Sequence, residues 1–410
     1  MIQIYLTAAL LLFAPLARGS VQGWAVGVIF LVALIIMFFS LYWKQSFFIF
    51  ASTALDKPIA ALLVLSAGSF IFSIHHYTSS VAISQLASYL VVYYVVSQIV
   101  RKHFVLLFFV YWLISISTLL CIIGLLKLAG LTPFYWWNFL ASAHPKFWLT
   151  ATFGNHNHLA GWLEMSFPLL FCLIIFGCQK KWLIIQMLVL GLQGACLLLT
   201  FSRGGWAGAT ASIIFIAGWL FFAEYKKKGQ IILYYGLAAV ALSFAVLAAS
   251  PLIDRINTVV AGGVETQGFA DRLLIWYGTV DMILANWLTG TGPGTYSLAF
   301  PRYQPPGFSH RYYMAHNDYL QFTAEFGVGI IILIVWMLTV LYHKGLRDMR
   351  LSDKFNQAVF LSSLAGITAL LVHSMVDFNL HIPSNALLFS VIAAFVVRDI
   401  KVNAERGSKK

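Results

Sequence analysis

Charge is what this sequence has least of. Only 10% of its 410 residues are Asp, Glu, Lys or Arg, and 60% are hydrophobic. Soluble domains carry about a quarter charged residues, so this shortage excludes an ordinary soluble domain. Acidic residues are the scarcest, 14 against 26 basic ones. Cysteine is nearly missing too. Cys121, Cys172, Cys178 and Cys196 all lie in or beside apolar runs, and none has CxxC spacing. Thiols so placed behave as small hydrophobes, and neither a disulfide nor a metal site is expected. The first apolar run has no basic residue ahead of it, and Arg18 follows it. A cleaved secretory signal has the reverse order, so this run reads as a retained helix. No inverted repeat of the transporter kind is visible, and few charges fall in mid-run.

What is there instead is apolar sequence in runs of roughly 20 residues, the length a helix needs to cross a bilayer. The runs lie at 2–17, 23–43, 58–74, 81–98, 104–126, 159–177, 182–200, 205–223, 231–249, 318–342, 357–375 and 384–397. They predict an all-α integral membrane protein of about 12 transmembrane helices, one polytopic domain over 1–410. A net charge of +12 would raise nucleic acid as a partner for a soluble protein. Here topology accounts for it, and no nucleic acid is expected. Arg101-Lys102, Lys180-Lys181, Lys226-Lys227-Lys228 and Arg347 to Lys354 fall in alternate loops. Basic loops stay in the cytoplasm, so both termini are expected there. Arg18, Lys127, Lys146, Arg203, Arg255, Arg272, Arg302 and Arg311 then lie on the outer side.

The unusual sequence is on that outer side. Phe134-Tyr135-Trp136-Trp137-Asn138-Phe139 reads as an interfacial anchor or as a wall for a lipid or glycan. The stretch 250–317 forms a large periplasmic loop with short helices, too long to be structureless without a task. A helix is expected near 271–285, with Arg272, Trp276 and Thr279 along one face. The turn Gly290-Thr291-Gly292-Pro293-Gly294 follows.

Arg203 sits in a tight turn just ahead of an apolar run. It is either a snorkelling cation or part of an anion site. For the second reading, unpaired helix N–H groups point at the same spot, Gly204 and Gly205 admit a ligand to the backbone, and a guanidinium fork matches phosphate oxygens. Arg272 is either a solvated helix charge or a second phosphate ligand. His316 opens the last long loop onto a helix. An imidazole is neutral enough near pH 7 to accept a proton, though a His at a helix start also serves as a cap. Asn317 and Gln321 could orient a sugar hydroxyl or cap the helix. Glu325 is expected to enter the apolar layer, either protonated or paired with an Arg. Asp377 lies in a polar outer turn, where it could pair with a site Arg or orient His316. His156 and His158 invite a metal reading, but no third ligand is adjacent.

Taken together, these pieces resemble the O-antigen ligase family, which shares its fold with O-antigen polymerases and protein O-oligosaccharyltransferases. The matching stretches are Phe153 to Gly161, Ser202-Arg203-Gly204, Arg272 to Trp276, Gly290 to Tyr296, His316 to Gln321 with Glu325-Phe326-Gly327, and Val376 to Asn379. In the first of them the family commonly has Pro where this chain has His156. The resemblance implies a GT-C-like membrane fold and a metal-independent, inverting glycosyltransferase without cofactor. It implies an undecaprenyl-diphosphate-linked glycan as donor and a sugar hydroxyl of lipid A core as acceptor, at the periplasmic face of the bacterial inner membrane. Arg203 and Arg272 would hold the diphosphate, and His316 would be the base. Polymerization, protein glycosylation and lipid-linked glycan transport are the competing expectations.

Overall fold

The computed structural model describes residues 1–42, 52–131, 148–223, 269–306 and 311–399. The expected span 231–249, the aromatic run 134–139, the loop stretch 250–268 and the tail from 400 lie outside the described residues. The helices are α1 (Ile2–Leu16), α2 (Gly23–Tyr42), α3 (Asp56–Ile71), α4 (His76–Ile99), α5 (His103–Leu128), α6 (His156–Ile175), α7 (Leu183–Leu199), α8 (Arg203–Phe222), α9 (Phe269–Ala285), α10 (Tyr296–Ala299), α11 (Asp318–Phe326), α12 (Gly329–Arg350), α13 (Lys354–His373) and α14 (Pro383–Val397). The described residues contain no strand. This is an all-α membrane protein.

Eight of the described helices are long and apolar enough to cross a membrane. They are α2, α4, α5, α6, α8, α12, α13, and α7 with its short lead-in from Lys180. α1 and α14 are apolar but have only 15 residues each. At 1.5 Å per residue that is about 22 Å, short of the roughly 30 Å hydrocarbon layer. The expected span 318–342 differs in kind. It is broken into α11 and α12 at Gly327, whose φ of 81° ends α11. A β-carbon there would run into the Leu288 carbonyl. The apolar layer therefore begins at α12, and α11 is a separate amphipathic helix.

Helix starts follow local chemistry. Asn155 caps α6 by accepting from the Asn157 N–H at 2.8 Å. Ser202 caps α8 through the Gly205 N–H at 3.1 Å, and Asn317 caps α11 through the Leu320 N–H at 3.1 Å. Each satisfies an amide that the first helical turn leaves unpaired. α13 and α6 are the most deeply buried spans, and α13 packs along both α6 and α8. Small residues allow this close approach, as expected where lipid supplies no hydrophobic driving force. At Gly208 of α8 a β-carbon would stand 2.6 Å from both the Ala369 carbonyl and Glu164 Oε2. α7 and α12 expose most of their apolar surface.

Candidate active site

α13 ends at His373, and the turn His373-Ser374-Met375-Val376-Asp377 leads toward α14. Three distant segments dock on this turn. From the α11 side, the Asp318 N–H donates to the Ser374 carbonyl at 2.9 Å, and Asn317 Nδ2 donates to the Met375 carbonyl at 2.9 Å. Ser374 Oγ returns a hydrogen bond to Asp318 Oδ2 at 2.7 Å. From α9, Arg272 Nη1 donates to the Val376 carbonyl. From α8, Gly204 lies close against the His373 ring and Val376, where a β-carbon would collide with the ring. Arg203, Arg272 and His316 are thereby brought to one turn.

His316 has a φ of 50°, an unusual conformation for a residue with a β-carbon. The loop that forces it is tied on both sides. Trp276 Nε1 donates to the Ala315 carbonyl at 3.0 Å, and the Ala315 N–H donates to Gln321 Oε1 at 3.0 Å. The imidazole packs edge-on against Phe378, ring centres 4.9 Å apart. Its Nδ1 is sealed from solvent and faces Asp377 Oδ1 at 3.7 Å, ion-pair range rather than a hydrogen bond. Asp377 is itself buried, and its Oδ1 accepts the Phe378 N–H at 2.8 Å. Burial alone would raise the Asp377 carboxyl. The imidazoles of His316, His373 and His158 outweigh it and hold the group well below the usual carboxylate range. A carboxylate on the Nδ1 side favours the tautomer with its proton on Nδ1, leaving Nε2 of His316 as the acceptor.

Arg203 is the first residue of α8 and is exposed. Arg272 is half-buried, and its Nε is sealed without a hydrogen-bond partner among the described residues. Such atoms cost about 1–3 kcal/mol each when left unpaired, and native proteins keep few of them. Three of them meet at this turn: Arg272 Nε, His316 Nδ1 and Asp377 Oδ2.

The supporting candidates are placed differently from a substrate-facing set. Asn317 both caps α11 and holds the turn, so its amide is engaged at each end. Gln321 is buried and bonds Ala315 and Glu325, and Trp276 braces Ala315. These side chains position the His316 loop. Among the described residues Glu325 finds no Arg. Its Oε2 accepts the Gly294 N–H at 2.7 Å and its Oε1 the Tyr296 N–H at 3.3 Å, which ties the Gly-rich turn to α11. His156 Nδ1 lies 2.8 Å from the Thr200 carbonyl, and its ring lies 4.1 Å from that of Trp148. His158 also packs edge-on against Phe378, at 5.1 Å. No group of three metal-capable side chains gathers among the described residues.

Two buried pairs were not foreseen from the sequence. Asp318 Oδ1 contacts His381 Nδ1 at 2.6 Å, and His373 Nδ1 contacts Glu164 Oε1 at 3.0 Å. Burial would lower the His381 imidazole, but the bond and charge of Asp318, and the charge of Glu325, raise it. A signal for the second pair was present: Glu164 interrupts an apolar run, and an ionisable group there needs a partner.

Residues 187–337 match the family model described as O-antigen ligase. That segment holds Arg203, Arg272 and His316, while the turn they meet on lies beyond it. No curated protein matches the chain. The matched segment and the all-α membrane fold support the O-antigen ligase family and a function of the ligase or polymerase type.

Proposed function

We propose that this protein transfers a glycan from undecaprenyl diphosphate to a sugar hydroxyl of lipid A core, at the periplasmic face of the bacterial inner membrane, with both termini cytoplasmic. The observation that carries this reading is the meeting of Arg203, Arg272 and His316 at the His373–Asp377 turn. No nucleotide sugar or ATP is found outside the inner membrane, so the driving energy must arrive with the donor. A diphosphate ester supplies it if the departing charge is neutralised. Two guanidinium forks do that without a metal.

The step is a single displacement. His316 Nε2 takes the proton from the acceptor hydroxyl as the oxygen attacks the anomeric carbon. The bond from that carbon to the diphosphate oxygen breaks, and the electron pair leaves on undecaprenyl diphosphate between Arg203 and Arg272. Attack opposite the leaving group inverts the anomeric centre. Asp377 holds the imidazole and offsets the charge it gains.

Purified protein with a lipid-linked glycan and lipid A core tests the reading. Glycan should appear on the core. Longer lipid-linked chains would point to a polymerase, and movement of intact donor without bond cleavage to a transporter. His316→Ala should lose on the order of 10²–10⁴-fold in turnover, the usual share of a general base. Arg203→Ala should abolish donor use, and Arg272→Lys should weaken it because the fork is lost although the charge stays. Near-normal turnover of His316→Ala would sink the base assignment.

A further inference from the structure

The proposed step leaves out a fully buried ionisable pair in the bundle, Glu164 of α6 and His373 at the end of α13. Both are sealed, at 0% and 1% exposure. His373 Nδ1 lies within hydrogen-bond range of both carboxylate oxygens, 3.0 Å from Glu164 Oε1 and 3.2 Å from Oε2. Burying such a pair in place of apolar side chains gives little or no stability, so its presence calls for a reason. The other ring nitrogen points to one. His373 Nε2 lies 3.4 Å from Ser202 Oγ and 3.9 Å from Asp377 Oδ2. Ser202 is the cap of α8, directly before Arg203. The other oxygen of Asp377 faces His316. Gly204 rests against Cδ2 and Nε2 of the same ring. One imidazole thus touches the supports of the base and of the anion site, and Glu164 anchors it from behind.

We propose that His373, held by Glu164, is a positioning residue for both halves of the site: through Asp377 it aims the His316 imidazole, and through Ser202 and Gly204 it seats the turn that carries Arg203. The inference rests on the roles proposed above for His316 and Arg203. The charged and titratable groups that act on the ring are Glu164 from α6, Arg272 from α9 and Asp377 in the turn itself, and those that act on Asp377 are His316 ahead of α11, His158 from α6 and His373. Without the His373 ring, Asp377 has one fewer imidazole beside it. Its charge then bears more fully on His316 and stabilises the protonated base.

The test compares His373→Gln, Glu164→Gln and the double variant in full-length protein, with His316→Ala in the same assay. His373→Gln should lower turnover on the order of tenfold. It should also raise the KM for donor, and move the acid limb of the pH–rate profile upward by about half a unit or more. Glu164→Gln should act in the same direction. The double variant should be no worse than His373→Gln, because Glu164 acts through the ring. Additive losses would overturn the proposal. So would an unmoved acid limb with a turnover loss that merely tracks lost thermal stability. If His373→Gln fails to insert, Glu164→Gln carries the same test through the same ring. An active His316→Ala would defeat the functional reading itself. A dead His316→Ala beside an unmoved His373→Gln profile would defeat this inference alone.

Discussion

An imidazole accepts a proton only while neutral, and a carboxylate steers it only while charged. Asp377 meets its condition throughout any pH at which the protein would be assayed, because the surrounding imidazoles hold it far below the usual carboxylate range. The pH–rate profile of transfer should therefore show no break from Asp377 in that range. Asp377→Asn keeps the shape and removes the charge. The Nδ1 side of His316 then loses the negative charge that faces it at 3.7 Å, and the tautomer that leaves Nε2 open is no longer favoured. Turnover should fall on the order of 10²–10⁴-fold, with donor affinity near that of the parent in a binding measurement. Equal losses in turnover and affinity would place Asp377 among the donor contacts instead.

At the scale of elements, the site depends on one close crossing, the start of α8 against the end of α13. Gly204 makes it possible. A β-carbon there would strike the His373 ring and stand 3.0 Å from Val376 Cγ2. α8 has no easy retreat, since Gly208 one turn on is equally tight against Glu164 and the Ala369 carbonyl. Gly204→Ala should therefore displace the Arg203 turn. Donor binding should weaken by a larger factor than turnover of bound donor, which a titration of rate against donor concentration separates. An unchanged KM would show that the crossing has slack. The α11–α12 break works in a similar way. It lets α11 lie as a polar helix with Asp318 and Glu325 buried in hydrogen bonds, rather than in lipid, where each would cost about 2.5 kcal/mol or more.

For the whole molecule, the open quantity is which end faces out. The proposed topology puts the His373–Asp377 turn and the loop after α9 outside, with the basic loops inside. On a background with its native cysteines replaced, Arg302→Cys and Arg311→Cys should react with a membrane-impermeant thiol reagent on intact spheroplasts. Lys102→Cys and Lys354→Cys should react only after permeabilization. Labelling of the second pair from outside would invert the topology and remove the periplasmic donor from reach.

The positions of most apolar helices and the cap of α11 at Asn317 were legible in the chain itself. Crossing a bilayer demands an unbroken local run, and capping acts within three residues. Thus the apolar run 104–126 falls within α5, and the expected helix 271–285 falls within α9. The break at Gly327 was not read, because hydropathy alone runs through it and only the packing against Leu288 makes a glycine necessary there. Nor could composition pair Glu164 with His373 across 209 positions, or bring Arg203, Arg272 and His316 to one turn. Those meetings are set by which helix faces interlock, a property of the packed bundle that no local window of residues contains.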